Sequence, residues 1–168
     1  MLRPGWLHLS FSMAFAAFAA GAHAACPQAL AVYAEPASGA TIEFRPLTQD
    51  SGFAVTNEFR LTLGRQPVEG MVLWTDDPAR SVAIVTHNCP EGDVTGAEIE
   101  ACMVWEGVIY ALGADGAAGL LPPPDQPAAA SLLLADFGRS VRGSAIYAGE
   151  GGLAAVPFDQ FFLSGCQE

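Results

Sequence analysis

The sequence predicts an α+β fold: a single compact domain of mainly antiparallel β-strands, in a sandwich-like or barrel-like sheet, with two helices near residues 95–106 and 126–142. Three observations lead to this prediction. Several short segments alternate apolar and polar residues, and clusters of Gly, Pro, Asn and Asp separate them. Only two stretches combine capping residues with helical spacing of apolar residues.

The first 24 residues are typical of a secretory signal peptide. A single early charge at Arg3 is followed by an apolar stretch and then by small residues that include Ala22 and Ala24. The uninterrupted apolar part, residues 13–20, is too short to cross a bilayer, which needs roughly 20 apolar residues. We therefore expect cleavage after Ala24, a mature domain of residues 25–168 without a transmembrane segment, and residence in the periplasm.

A lipoprotein signal is the alternative for the same segment. In that case Cys26 would be acylated and the protein would be held at the outer membrane. Ala24 and Ala25 fit such a signal, whereas His23 stands where an aliphatic residue is wanted. The alternative predicts that Cys166 lacks a disulfide partner.

The strand segments come first after the leader. In residues 41–47 (TIEFRPL) Ile42 and Phe44 share one face, and residues 57–64 (NEFRLTLG) continue the same alternation. Met71 to Trp74 is expected to pair with Val82 to Thr86, because Asp76, Asp77 and Pro78 favour a turn between them. A second hairpin is expected around a turn at residues 113–116, and a last strand within residues 158–166.

Two helices interrupt the strands. Thr95 and Glu98 form a capping box, and Gly107 is placed to end this helix. In the second helix Asp125 is the expected cap and Pro127 lies in the first turn. Its expected core-facing residues lie at helical spacing: Ala130, Leu133, Leu134, Phe137 and Val141. Gly138 lies inside this helix and costs about 1 kcal/mol relative to alanine.

Four cysteines remain in the mature chain: Cys26, Cys89, Cys102 and Cys166. An even number in an exported protein predicts two disulfides, and four cysteines permit three pairings. Cys89 leaves a hairpin strand shortly before Cys102 on the inner face of the next helix, which favours a bridge between them. Chain ends often lie near one another, which favours Cys26 with Cys166.

Catalytic and metal chemistry is the competing interpretation of the same region. His87 and Cys89 are a possible base and nucleophile, and with Cys102 and Asp93 they offer ligand types that zinc accepts. The acids Glu91, Asp93, Glu98 and Glu100 add carboxylates that suit calcium or glycoside hydrolysis. An oxidising compartment favours disulfides over thiolates, so we predict no catalytic, cofactor or metal residues.

Charge bears on the partners. The chain has 18 acidic and 7 basic residues, all of the latter arginine, and loss of Arg3 with the leader takes the net charge from −11 to −12. This excess repels phosphate backbones, so nucleic-acid binding is not expected, and it would speed encounter with a basic envelope protein. The absence of lysine excludes kinase chemistry despite the letters DFG at residues 136–138.

The aromatic residues leave one further possibility open, because they are able to line a groove for a sugar or a peptide, although core packing is the expectation. They are Tyr33, Trp74, Trp105, Tyr110 and Tyr147. The function predicted from these observations is that of a non-enzymatic periplasmic module that binds a ligand or another protein. The alternatives are a metal-dependent or hydrolytic enzyme using the region of His87 and Cys89, and a lipid-anchored envelope protein.

Overall fold

The computed structural model describes residues 25–48, 54–148 and 153–167. Its strands are β1 (Ala31–Ala34), β2 (Thr41–Arg45), β3 (Val55–Leu63), β4 (Gln66–Asp76), β5 (Ala79–Thr86), β6 (Met103–Leu112), β7 (Ala118–Leu120), β8 (Ser131–Leu134) and β9 (Gln160–Cys166). Its helices are α1 (Gly96–Cys102), α2 (Phe137–Gly143) and α3 (Ala145–Ala148), and a 3₁₀ turn covers Gln28–Leu30. The predicted signal peptide lies outside these described residues.

Eight of the strands close into an antiparallel barrel. Each strand from β1 to β6 pairs with the next, β6 then pairs with β8, β8 with β9, and β9 returns to β1. The short β7 pairs only with the end of β6, through Tyr110 and Leu112. The barrel-like form of the predicted sheet is therefore confirmed, and the sandwich-like form is not what the chain adopts.

Alternating side chains of the strands fill the interior of the barrel. Ile42 and Phe44 on β2 are fully buried, and the ring of Phe44 contacts the ring of Phe59 on β3 with 5.5 Å between centroids. Phe59 lies across Gly70 of the paired strand, where an added Cβ would lie 2.3 Å from the ring. A glycine facing inward at this position therefore makes room for an aromatic side chain.

Helix α2 packs against the interior aromatic residues. Phe137 contacts the rings of Trp105 and Phe161 edge-on, with centroid distances of 5.7 and 5.8 Å. The N–H groups of Asp136 and Gly138 at the start of α2 each donate to the carboxylate of Asp159, at 2.9 Å. The segment before β9 thus caps the helix that follows β8.

Both predicted hairpins are confirmed. Met71 pairs with Ile84 and Trp74 with Ser81, on either side of the turn at residues 77–78. In the second hairpin Leu112 pairs with Ala118 across the expected turn. The last strand, β9, also lies where the sequence placed it.

The first predicted helix is too long. The capping box of Thr95 and Glu98 is present, but α1 ends at Cys102 and the residues from Met103 onward belong to β6. Gly107 does not end a helix, because it lies within β6 beside the indole ring of Trp105. Pairing of β6 with β5 outweighs the local helical spacing here.

The second predicted helix is wrong over most of its length. Residues 131–134 form β8, and only Phe137–Gly143 is helical. Asp125 does not cap the helix, and Pro127 forms a β-bridge with Pro27 instead of a first helical turn. The leucines that fit a helical spacing lie in β8, which pairs with β6 and with β9. These two pairings close the barrel.

Candidate functional site

A cleft lies at one mouth of the barrel, where three neighbouring strands present their last inward-facing residues. These residues are Asn57 on β3, Trp74 on β4 and Ser81 on β5. Trp74 and Ser81 are direct cross-strand partners, and Asn57 pairs with Val72 at an irregularity in the ladder between β3 and β4. Strand pairing therefore fixes the relative positions of the three side chains.

The other lining residues of the cleft are Leu120, the last residue of β7, and the segment that follows it, Leu121 and Pro122–Pro124. We call residues 120–124 the proline wall. Strand β5 pairs with β6 only as far as Val82 with Val108, and β7 occupies the continuing end of β6. The cleft lies between this wall and the start of β5, which does not pair with β6. The prolines favour an extended backbone and have no N–H groups for strand pairing.

The N-terminal segment holds the proline wall in place. The N–H of Ala29 donates to the carbonyl of Pro124 at 2.9 Å, and the N–H of Gln28 donates to the carbonyl of Gln126 at 2.8 Å. The N–H of Ala128 donates to the carbonyl of Cys26 at 2.8 Å. One backbone bond thus attaches the wall itself, and two more attach the segment directly after it, to the residues just after the predicted cleavage site.

The cleft has a volume of about 500 Å³ and a mainly apolar lining. This volume lies within the range of about 300–1,000 Å³ that small-molecule sites occupy. None of the lining residues carries a charge, and the polar groups are the side chains of Thr56, Asn57 and Ser81 with the indole of Trp74. An apolar cleft with a few fixed polar groups is typical of a small-molecule site.

Asn57 is the unusual residue of the lining. It is 2% exposed, and its Nδ2 has no hydrogen-bond partner among the residues that the structure describes. The neighbouring hydroxyl of Thr56 donates instead to the carbonyl of Val72 at 3.4 Å. Buried amide groups are nearly always paired, so this unpaired donor makes Asn57 a candidate contact for a ligand.

Trp74 contributes an open aromatic surface. Its indole is 39% exposed, and its Nε1 donates to the carboxylate of Asp76 at 3.0 Å. Because this bond holds the indole N–H, the rest of the ring is available to the cleft that it lines. The sequence had placed Trp74 among the groove candidates, and the structure places it in the cleft.

No family model, curated protein or solved structure matches this chain. The geometry of the cleft is therefore the ground on which its function has to be argued.

The other aromatic candidates lie elsewhere. Trp105 and Tyr33 are buried in the core, where the indole Nε1 of Trp105 donates to the carbonyl of Ala135 at 3.0 Å. The hydroxyl of Tyr33 donates to Gln28 at 2.9 Å, and burial raises the pKa of Tyr33 to about 12. Tyr147 packs under the guanidinium of Arg142. Of the five aromatic candidates, only Trp74 lines the cleft.

The cysteines form two disulfides. Cys26 is joined to Cys166 and Cys89 to Cys102, with Cα–Cα distances of 5.7 and 5.1 Å. These are the pairs that the sequence favoured. The sulfur of Cys26 is bonded to another cysteine, which leaves no thiol there for the acylation that the lipoprotein alternative requires.

The His87 region does not assemble the site that the enzyme alternative needs. Cys89 and Cys102 are bonded to each other, so neither is a thiolate able to attack a substrate or bind zinc. The Nε2 of His87 lies 3.0 Å from the side-chain nitrogen of Asn88. Within the described ranges, no three His, Cys, Asp or Glu side chains are placed to hold a metal ion.

The acidic residues of this region have structural roles or lie exposed. Glu98 accepts from the backbone and the hydroxyl of Thr95, both at 2.8 Å, and these bonds lower the pKa of Glu98. Glu91, Asp93 and Glu100 are exposed. The carboxylate that the structure does enclose is Glu35, which the sequence had not singled out.

Glu35 closes the turn between β1 and β2. Burial would raise the pKa of Glu35, but hydrogen bonds from the Ser38 hydroxyl and from the N–H groups of Ala37, Ser38 and Phe158 together lower it. The Ala37 and Ser38 N–H bonds are 2.9 and 2.8 Å long. A carboxylate held ionised by this many donors shapes the turn and is poorly suited to proton transfer.

A second, more open cleft of about 530 Å³ lies beside α2. Arg139, Arg142 and the exposed Phe158 line it together with Asp159. The carboxylate of Asp159 is already bonded to two backbone N–H groups of α2. The mouth of the barrel, with its unpaired buried amide, is therefore the better candidate site.

Proposed function

We propose that the protein is an exported, non-enzymatic binding module that holds a small, mainly apolar molecule in the cleft at the barrel mouth. The observation that carries the proposal is the uncharged cleft of about 500 Å³ between the proline wall and the last inward-facing residues of β3, β4 and β5. Eight-stranded up-and-down barrels are suited to this task, because their interior and mouth accommodate one small ligand.

Residence in the periplasm is part of the proposal. Two disulfides support an oxidising compartment, since such bonds are rare where thiols are kept reduced. No helix among the described residues is long and apolar enough to span a membrane. A basic envelope protein as a partner of the acidic surface stays a prediction from net charge.

The proposal is tested by titrating the mature, oxidised protein with Nile red, an uncharged dye whose emission rises in apolar surroundings. We expect saturable binding of one dye per chain. Thr56→Trp fills the cleft, because Thr56 lies in its lining, and should weaken binding at least tenfold.

Thr62→Trp is the matched control, because Thr62 lies on the same strand, is also half-buried and is not part of the cleft lining. It should bind the dye as the unsubstituted protein does. If the unsubstituted protein shows no saturable binding, or if both variants bind equally well, the proposal is wrong.

A further inference from the structure

The lining of the cleft restricts the charge of its ligand. None of the residues that line it is ionisable. The indole N–H of Trp74 donates to the carboxylate of Asp76, which is not part of the lining. A charged group that leaves water for an apolar cleft loses hydration and needs an opposite charge in return. The lining offers no such charge, so the cleft favours an uncharged molecule.

Asn57 adds a requirement for a hydrogen-bond acceptor. Its Nδ2 is enclosed without a partner among the described residues, although the side chain borders the cleft. The terminal torsion of an asparagine is soft, so the amide is able to turn toward an oxygen placed beside it. An acceptor on the ligand would satisfy this donor, whereas a hydrocarbon would leave it unpaired.

The shape of the lining favours a ring. Trp74 and the proline wall both line the cleft, and both present flat or rigid apolar surfaces. Aromatic faces gain from stacking on flat groups beyond the area that they bury. A ring system between Trp74 and the prolines would use both surfaces, and a flexible chain would use them less well.

We infer that the ligand is an uncharged, ring-containing molecule with a carbonyl or comparable oxygen acceptor, and that Asn57 selects it through its side-chain amide. This inference rests on the proposed function, because it names the class of molecule that the same cleft holds. Ser81 on β5, which is 2% exposed and also lines the cleft, offers a hydroxyl as a second polar contact.

Three probes of similar size test the inference by displacing Nile red: 2-acetylnaphthalene, which carries a carbonyl, 2-isopropylnaphthalene, which has none, and the anion 2-naphthoate. We expect the ketone to displace the dye at about tenfold lower concentration than either of the others, the gain that one hydrogen bond to a buried donor typically supplies. In ¹⁵N-labelled protein the side-chain amide signal of Asn57 should shift on addition of the ketone and not of the hydrocarbon.

Asn57→Leu keeps the size of the side chain and removes the donor. The variant should lose the preference for the ketone, bind the hydrocarbon at least as well as before, and unfold at the same or a higher temperature, because an unpaired amide is removed. Equal displacement by ketone and hydrocarbon, with no shift of the Asn57 signal, would overturn the inference.

That result leaves the proposed function intact provided that Thr56→Trp still abolishes dye binding while Thr62→Trp does not. If all three naphthalenes and the dye fail to bind the unsubstituted protein, the proposed function fails as well. The two failures are therefore distinguishable from the same set of titrations.

Discussion

Tyr33 shows how one buried side chain ties distant parts of the chain together. Its hydroxyl reaches Gln28, five residues earlier, and the carbonyl of Ala129, 96 residues later, at 2.9 and 3.2 Å. Gln28 in turn accepts from the N–H of Ala129 at 3.4 Å. These bonds join the N-terminal turn to the segment that leads from the proline wall into β8.

The pKa of Tyr33 predicts a loss of stability at alkaline pH. The unfolded chain ionises this tyrosine near pH 10, whereas the folded protein keeps its proton until about pH 12. The stabilising effect is complete below pH 10 and falls as the pH rises to about 12, by roughly 3 kcal/mol over that interval. Urea unfolding followed by tryptophan fluorescence at pH 9 and pH 11.5 measures it.

Tyr33→Phe should lower the stability at pH 9 by about 1 kcal/mol, because a hydrogen bond is lost, and should remove most of the alkaline fall. Tyr110→Phe on the outer side of β6 is the control and should keep that fall. An alkaline fall in Tyr33→Phe equal to that of the unsubstituted protein would contradict the assignment.

Asn57 and Tyr33 illustrate what the sequence was able to predict at single positions. The alternation around residues 57–64 correctly placed Phe59, Leu61 and Leu63 inside. The same alternation puts Asn57 on this face, two residues before Phe59, but an asparagine at a strand end is ordinarily taken as a turn residue. The unpaired amide becomes visible only when the proline wall is known.

The secondary-structure elements show the same difference: those fixed by residues close in sequence could be predicted, and those fixed by distant strand partners could not. Thr95 and Glu98 are three residues apart, so their capping box was predictable from the sequence. The strand β8 was not, because its ladder joins residues 131–134 to β6 and to β9. Leu133 and Leu134 fit the predicted helical spacing, whereas in the strand Leu132 and Leu134 are buried and Leu133 is half-buried. Only the distant partners choose between the two patterns.

Gly138 in α2 gives a prediction that opposes helix propensity. Alanine at this position would be favoured by about 1 kcal/mol in an isolated helix. In the folded protein a Cβ here would lie 2.3 Å from the carbonyl oxygen of Pro157, which is backbone. We therefore expect Gly138→Ala to destabilise the protein by about 1–3 kcal/mol, measured by thermal and urea unfolding.

Gly143 ends the same helix, and a Cβ there would meet nothing within 4 Å. Gly143→Ala is thus the matched control, and it should change the free energy of unfolding little or raise it slightly. If Gly138→Ala were as stable as Gly143→Ala, the contact between α2 and the segment before β9 would be looser than described.

The whole molecule is held by one short and one long disulfide. Cys89 and Cys102 are 13 residues apart, whereas Cys26 and Cys166 are 140 apart. The entropy lost by the unfolded chain gives about 3 kcal/mol for the short loop and about 4–5 kcal/mol for the long one. The long bridge also anchors the segment that bonds to the proline wall.

Paired substitution of each bridge separates these effects. Cys89→Ser with Cys102→Ser should lower stability and leave Nile red binding largely unchanged. Cys26→Ser with Cys166→Ser should lower stability further and weaken dye binding several-fold at a temperature where the variant is folded, because the wall loses its anchor. Equal dye affinity in the two folded double variants would contradict a role of the long bridge in the cleft.

The position of β9 in the barrel has a consequence for the order in which the barrel forms. Strand β9, residues 160–166, pairs with β1 on one side and with β8 on the other. The barrel therefore stays open between β1 and β8 until β9 has taken its place. Completion of the barrel by β9 and joining of the chain ends by Cys26 and Cys166 then become a single final step.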